Sequence, residues 1–145
     1  MDLYRREDWR GRLADEMDRQ RRNRFVWGHH DCAIGFAAGI VEAITGVDLA
    51  VEFRGSYETP IGALRILEEK GVRTLGDFAA LYLPEIHPVQ ANVGDLCVLK
   101  SDGPFGEGLG MVDASVLVVL TSEGHGHRPR SDMTRAFKVG LDGLQ

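Results

Sequence analysis

The sequence has few cysteines and no long hydrophobic run, and each shortage excludes a class of protein. Two cysteines, Cys32 and Cys97, in 145 residues are too few for a small domain held together by disulfides. Reduced thiols are the simpler expectation, and one bridge between them is the alternative.

The longest nearly uncharged run, Cys32 to Val41, has about half of the roughly 20 residues that span a bilayer. Met1 to Glu7 is charged where a secretory signal would be apolar, so we expect a protein made in the cytoplasm of its producer, with no signal peptide and no membrane insertion.

An excess of positive charge is also lacking. Seventeen Lys and Arg against 22 Asp and Glu give a net charge of −5, which works against non-specific capture of nucleic acid. We therefore expect no nucleic-acid partner. A hydrophobic content of 43% with 27% charged residues is typical of globular proteins, and the length fits one domain over residues 1–145.

The chain up to residue 92 carries helical patterns. Trp9, Leu13 and Met17 recur at every fourth position and predict a helix over residues 4–24 whose remaining surface is charged. Residues 32–45 resemble a buried helix closed by Gly46. Two further helices are predicted from their capping signals, over residues 60–70 after Thr59 and over residues 75–82 after Thr74.

From Val93 onward the pattern changes to that of a β-sheet. Apolar and β-branched residues between glycine-bearing turns predict strands over residues 95–99, 108–113, 116–120 and 135–139. Helices followed by antiparallel strands predict an α+β fold around one core. We divide it into a charged N-terminal helix (1–24), a helical half with Cys32 (25–92) and a β half (93–145).

The segment from Trp27 to Cys32, Trp-Gly-His-His-Asp-Cys, holds the candidate nucleophile. Asp31 is a good N-cap residue, which places Cys32 in the first turn of the following helix. There the helix dipole and free backbone N–H groups favour the thiolate, which is the nucleophilic form of cysteine. The alternative is that Cys32 is a small buried hydrophobic residue, as free cysteines often are.

A thiol nucleophile also needs a general base, and the sequence offers five histidines: His29, His30, His87, His125 and His127. The first two lie too near Cys32 in the sequence to face it easily, and the third lies in a proline-flanked loop. This leaves His125 and His127 as base candidates. Both lie in Gly-His-Gly-His, where the glycines favour a mobile, solvated loop.

Signals for a bound metal or cofactor are weak. No histidine or cysteine pair has the spacing of a structural zinc site. The glycine-rich segment 103–108 lacks the Lys-Ser/Thr ending of a phosphate-binding loop. We therefore predict no metal and no cofactor. A zinc or nickel site remains as an alternative, built from His29, His30, Cys32, His125 and His127.

Three signals occur in a fixed order: Trp27-Gly28 to Asp31-Cys32, a helix of small residues closed by Gly46, and Gly94-Asp95 at the start of a strand. In this order they resemble the NlpC-type, papain-like cysteine peptidases of the cell wall. More narrowly, the chain is similar to phage, prophage and gene-transfer-agent proteins associated with tails, which share the W-G-x-x-D-C motif. The resemblance covers residues 24–139. It implies a papain-like fold in which helices pack on a small antiparallel sheet or half-barrel.

The resemblance assigns the nucleophile position to Cys32 and the acidic residue before it to Asp31. In the active enzymes the next strand opens with a histidine, and here Gly108 stands at that position. The third polar residue falls on the following strand, where residues 116–120 are all apolar. A thiol without base and orienting group is expected to lose most of its hydrolytic power. A histidine of the segment 124–127 could substitute only if that loop folds back over Cys32.

The resemblance therefore implies a tail-tip or tail-assembly component of a phage or phage-like virion, with a catalytically degenerate peptidase fold. The alternative is an active cysteine peptidase or amidase that degrades peptidoglycan during cell-wall penetration, with Cys32 as nucleophile and His125 or His127 as base. The expected partners are other tail-tip or hub proteins, and peptidoglycan if the protein is active. The helix over residues 3–24 is the expected docking surface, through Arg5, Arg6, Arg10 and Arg12.

Overall fold

The computed structural model describes residues 2–142, which form an α+β fold with helices packed on a six-stranded antiparallel sheet. The helices are α1 (Trp9–Gln20), α2 (Ala38–Thr45), α3 (Pro60–Glu69) and α4 (Leu75–Ala80). A π-helical turn, Cys32–Ala37, leads directly into α2. The strands are β1 (Glu85–Ile86), β2 (Leu96–Lys100), β3 (Glu107–Val112), β4 (Val116–Thr121), β5 (Gly124–Pro129) and β6 (Met133–Phe137), in the spatial order β1-β6-β2-β3-β4-β5. Within this range no helix is long and apolar enough to cross a membrane.

The two faces of the sheet belong to different parts of the core, because successive strand residues point to opposite sides. Leu109 and Val118 face the helices and pack with α1, α2 and the π-helical turn. Cys97 and Val112 lie on the opposite face in a smaller buried cluster. Cys32 packs on the helix side, and both cysteines are free. The expectation of reduced thiols is confirmed.

The helix boundaries follow the capping residues. The Thr59 hydroxyl accepts a hydrogen bond from the Gly62 N–H at 3.0 Å, and the Thr74 hydroxyl accepts one from the Asp77 N–H at 3.0 Å. Gly46 ends α2 with a φ of 83°, a left-handed conformation that favours glycine. These three predicted ends are confirmed. The fourth helix stops at Ala80 rather than at residue 82.

The N-terminal helix is shorter than predicted. It begins at Trp9 and ends at Gln20, whereas the pattern had indicated residues 4–24. Tyr4 instead forms a parallel bridge with Leu141, and the Arg5 N–H donates to the Leu141 carbonyl at 2.9 Å. The extended backbone that this pairing requires prevents the helix from starting earlier. The N-terminal segment therefore belongs to the fold and is not a separate arm.

Arg5 is a buried structural residue rather than a docking residue. Its guanidinium forms an ion pair with Asp95 at 3.0 Å, with exposed side-chain fractions of 9% and 0%. It also donates to the carbonyls of Val93 and Val139, each at 3.0 Å. The expectation that Arg5 contacts a partner is wrong, because its donors are already used inside the protein. Asp95 also accepts from the Val139 N–H at 3.0 Å, so the Gly-Asp signal marks the junction of both chain ends.

Two strands were missed in the sequence. The prediction of a loop over residues 124–127 is wrong, because this segment begins β5. The strand pairs with β4 along its whole length, from Gly124 opposite Thr121 to Pro129 opposite Val116. Gly124 is required where β5 meets the end of α1, since a Cβ there would lie 2.3 Å from the Arg21 carbonyl oxygen. The other missed strand is β1, a two-residue edge strand paired with β6.

Candidate functional site

Cys32 is the first residue of the π-helical turn, and Asp31 is its N-cap, as the sequence predicted. The Asp31 carboxylate accepts hydrogen bonds from the N–H groups of Ala33 at 3.1 Å and Ile34 at 2.8 Å. The Phe36 N–H reaches back five residues to the Asp31 carbonyl at 3.0 Å. The turn that carries Cys32 is therefore held at its start by one residue.

Asp31 also fixes the loop that precedes the helix. Its second carboxylate oxygen accepts from the Gly28 N–H at 3.1 Å and from the Tyr57 hydroxyl. Gly28 has a φ of 78°, and a Cβ there would lie 1.9 Å from the Tyr57 carbonyl oxygen, so the position requires glycine. Asp31 is 3% exposed, and all of these donors are needed to compensate its burial. The glycine and the aspartate of the motif thus have structural roles.

The Cys32 thiol lies in apolar surroundings between the helix start and β3. It packs with the main core, and Trp27 and Phe105 border it together with Leu109. Burial raises the pKa of Cys32 to about 12, with the Asp31 and Glu107 carboxylates acting in the same direction and the Leu109 backbone N–H acting against them. Burial thus acts against the thiolate that the start of a helix favours.

A groove of about 370 Å³ opens beside Cys32. It forms because β3 and β4 pair only as far as Gly110 and Val119, although β3 begins earlier, at Glu107, and β4 continues to Thr121. Beyond that pair the strands separate, and the helix start reaches the space between them. The volume lies in the range of small-ligand sites. Aromatic side chains form one wall of the groove: Phe25, Trp27 and Phe105.

His127 lines this groove together with Cys32, whereas His125 is not among its lining residues. Pairing with β4 places His127 opposite Val118 and His125 opposite Leu120, both on the helix side of the sheet. His127 is exposed on the groove. The structure thus brings one of the two base candidates to the Cys32 groove.

His125 belongs instead to a polar cluster under α1. Its Nε2 lies 3.4 Å from the Gln20 Oε1, and its ring contacts Phe36 edge-on at 5.5 Å between centroids. Gln20 is fully buried and also donates to the Phe36 carbonyl at 3.3 Å. Burial lowers the pKa of His125, and nearby His30 acts in the same direction. This histidine therefore joins α1 to β5 and to the π-helical turn.

Gly108 does not occupy the position that faces Cys32. A Cβ on Gly108 would point toward Ser101, and one on Gly110 would contact Leu99 and Cys97 on the far side of the sheet. Leu109, between these glycines, is the residue whose side chain faces the helices. Because strand residues alternate between faces, Leu109 and not Gly108 is directed to the side of the sheet on which Cys32 packs. The side chain that β3 presents on that side is apolar.

The other histidines do not complete a metal site. His87 caps a short 3₁₀ turn at Pro88–Gln90 and accepts from the Val89 N–H at 3.1 Å. His30 lies against Gly35, and its buried Nε2 has no hydrogen-bond partner among the described residues. Over residues 2–142 no three His, Cys, Asp or Glu side chains come together in a geometry that could hold a metal ion.

Residues 4–139 match the family model DUF6950, a domain of unknown function. The chain belongs to this family. The match begins before α1 and ends after β6, so it includes Arg5, Asp95 and every residue of the groove. The search of curated proteins found no match.

The sequence analysis missed three residues of the site, and only one of them had a signal in the sequence that could have been used. Tyr57 lies 26 positions from Asp31 in a segment without a clear pattern, so its hydrogen bond had no local signal. Phe105 lies in a glycine-rich turn, where a lone aromatic residue among Gly and Pro was a usable signal for a contact. Gln20 ends a charged helix and is fully buried, against the usual behaviour of its residue type.

Proposed function

We propose that this DUF6950 chain is a tail-tip component of a phage or phage-like particle, with a papain-like NlpC-type fold used for docking rather than hydrolysis. The order of the W-G-x-x-D-C turn, the helix and the antiparallel sheet supports the fold assignment. The observation that carries the loss of hydrolysis is the residue that faces Cys32 from β3, which is Leu109. No imidazole extends from that strand to take the thiol proton.

The surroundings of Cys32 support the same reading. Cysteine hydrolases attack with a thiolate that a base or an electropositive site stabilises. Here burial raises the pKa of Cys32 to about 12, which disfavours the thiolate at neutral pH. A thiol held in this state contributes packing to the groove rather than nucleophilic attack.

The charged surface of α1 and the segment after it is the proposed docking surface. Several of its arginines already pair within the helix, including Arg12 with Asp8 at 2.8 Å and Arg19 with Glu16 at 2.6 Å. Arg22 and Arg24 are exposed, and no ion pair involves them within residues 2–142. These two arginines are available for an acidic patch on a hub or fibre protein.

Particle assembly tests this proposal. The double variant Arg22→Glu and Arg24→Glu should lower the amount of the protein in purified particles at unchanged expression. The matched control is Glu68→Lys with Glu69→Lys, which reverses two exposed charges on α3. Absence of the unchanged protein from purified particles, despite its expression, would refute the tail assignment. Equal incorporation of both double variants would contradict the proposed docking surface and leave the tail assignment in place.

A second function, hydrolysis of peptidoglycan, is favoured by one observation. His127 lines the same groove as Cys32, so a candidate base and the thiol border one space, although the histidine comes from β5 instead of β3. Release of peptide stems from purified cell wall measures this activity. If it is present, Cys32→Ala and His127→Ala should each abolish it, while His87→Ala, at an exposed histidine on a 3₁₀ turn, should not. No turnover by the unchanged protein rejects this function.

A further inference from the structure

The groove beside Cys32 combines an aromatic wall with a carboxylate. The wall consists of Phe25, Trp27 and Phe105, and Glu107 lines the same groove from the start of β3. Phe25 and Trp27 meet at an interplanar angle of 80°, and Trp27 and Phe105 meet at 60°, so the rings do not stack on one another. The face of an aromatic ring is electron-rich and attracts cations. A wall of this kind next to a carboxylate favours a positively charged ligand with an apolar surface.

The Glu107 carboxylate is held in place with part of its hydrogen-bonding capacity unused. Its Oε1 accepts a hydrogen bond from the Gly76 N–H, at the start of α4, at 2.9 Å. Within the part of the chain that the structure describes, neither a hydrogen bond nor an ion pair involves its Oε2. An ionised carboxylate offers about four acceptor positions. Glu107 can therefore accept donors from a ligand in the groove without giving up its bond to α4.

The charges around the groove favour a cation over an anion. Besides burial, the carboxylates of Asp31 and Glu107 raise the pKa of Cys32, so a negative charge is disfavoured at the thiol. Arg128 also lines the groove, but its charge is paired at 2.7 Å with the carboxylate four residues later. The other basic residue of the groove is His127, which is exposed, so that water and salt screen any charge it carries.

We propose that the groove binds an arginine side chain of a partner protein, whose guanidinium stacks on the aromatic wall and donates to Glu107. A guanidinium fits both features, because its flat face stacks on aromatic rings while its edge carries five N–H donors. The ammonium group of lysine is a strongly hydrated point charge that does not stack in this way. At about 370 Å³ the groove has room for one arginine side chain. The inference rests on the proposed function in taking the groove as a site for docking rather than hydrolysis.

The test is an NMR titration of the full chain with the peptide acetyl-Gly-Arg-Gly-amide. The control ligand carries citrulline in place of arginine, which keeps the shape of the side chain and removes its charge. The arginine peptide should bind on the order of tenfold more tightly, because citrulline lacks the cation that the rings and the carboxylate attract. The indole N–H of Trp27 and the amide of Gly108 should shift on binding. Equal affinities of the two peptides, or shifts confined to other surfaces, would overturn the proposal.

Glu107→Gln tests the carboxylate directly. The glutamine keeps a carbonyl oxygen for the Gly76 N–H, so the contact with α4 is retained while the charge is lost. The affinity for the arginine peptide should fall roughly three- to tenfold, and that for the citrulline peptide should not change. The matched control is Glu69→Gln, which removes one negative charge from an exposed position of α3 outside the groove. Equal losses in both variants would show that the peptide responds only to net charge and would refute the site.

These measurements use the isolated chain and a synthetic peptide, so they do not depend on particle assembly. Lack of discrimination between the two peptides would refute the arginine site and leave the tail assignment and the α1 docking surface in place. Conversely, absence of the protein from purified particles would refute the tail assignment without changing the affinity for the arginine peptide.

Discussion

At the scale of single residues, Asp31 organises the start of the Cys32 helix. One buried carboxylate accepts hydrogen bonds from three backbone N–H groups and one hydroxyl, on both sides of the turn. Each donor would be left without a partner if the carboxylate were removed, and an unsatisfied buried group costs about 1–3 kcal/mol. The aspartate of the motif is thus explained by folding, independently of any chemistry at Cys32.

Asp31→Asn is expected to lower the free energy of unfolding by about 2–4 kcal/mol, because the amide has one acceptor oxygen and points an NH₂ group at backbone donors. Tyr57→Phe removes only one of the four hydrogen bonds and is expected to cost about 1–2 kcal/mol. Urea denaturation of both variants measures the difference. Equal losses would contradict the assignment of the backbone N–H groups to Asp31.

At the scale of elements, two glycines within helical turns have opposite meanings. A Cβ at Gly35, in the π-helical turn, would lie 2.4 Å from the His30 Cα, so that loop and turn could not both keep their places. At Gly11, in α1, nothing lies within 4 Å. The small residue at position 35 is therefore required by the close approach of the His30 backbone.

Gly35→Ala should therefore destabilise the protein by more than about 2 kcal/mol, because a backbone atom must move. Gly11→Ala should stabilise it by about 0.5–1 kcal/mol, because alanine is the better helix former and loses less entropy on folding. Thermal and urea denaturation give the sign of each change. Stabilisation by Gly35→Ala would mean that the loop over residues 28–31 is not held against the turn.

The contact of α1 with β5 and the π-helical turn should depend on pH through His30 and His125. Burial lowers the pKa of both, and it does so despite the Glu16 carboxylate, which faces both and favours their charged forms. Positive neighbours also lower the pKa of both histidines: Arg19 acts on His30, and Arg21 and His127 act on His125. The Asp31 carboxylate acts in the opposite direction on His30, whose pKa it raises.

A histidine whose pKa is lower in the folded state binds its proton more readily when unfolded. Its contribution to stability is complete above the unfolded value of about 6.5 and is lost as the pH falls below it. The urea midpoint should therefore decrease between pH 7 and pH 5, and His125→Gln should weaken this dependence. A midpoint that stays constant over this range in the unchanged protein would contradict the burial of the two imidazoles.

At the scale of the whole molecule, sequence patterns predicted the elements whose ends carry local signals. Thr59, Thr74 and Gly46 each satisfy backbone groups within a few residues, so their chemistry is readable from a short segment. The first strand pairing of the chain, Tyr4 with Leu141, joins its two ends and has no local signal. β5 was hidden because its glycines, which allow the close approach of α1, resemble those of a mobile loop.

Part of the candidate site could also be predicted from the sequence, and part could not. The position of Cys32 directly after its N-cap was predictable, since Asp31 and the helix are neighbours in sequence. The groove was not predictable, because it arises where β3 and β4 stop pairing, which depends on contacts between distant segments. The surroundings of the thiol could not be predicted either, since the rings of Trp27 and Phe105 that border the same groove come from two separate loops.

The junction of the chain ends gives the last prediction. Arg5 and Arg10 both lie over the Trp9 ring, at 4.2 and 4.5 Å from its centroid, but only Arg5 also pairs with buried Asp95. Arg5→Ala leaves that carboxylate without its cation and should cost about 3–5 kcal/mol of unfolding free energy. Arg10→Ala removes a half-exposed stacking contact and should cost at most about 1 kcal/mol.

Because Asp95 also accepts a hydrogen bond from the Val139 N–H, Arg5→Ala should loosen both chain ends together. This should be visible as faster amide exchange at Leu141 and Arg6. Similar losses in the two variants would show that the stacking on Trp9, and not the buried ion pair, holds the N-terminal segment in place.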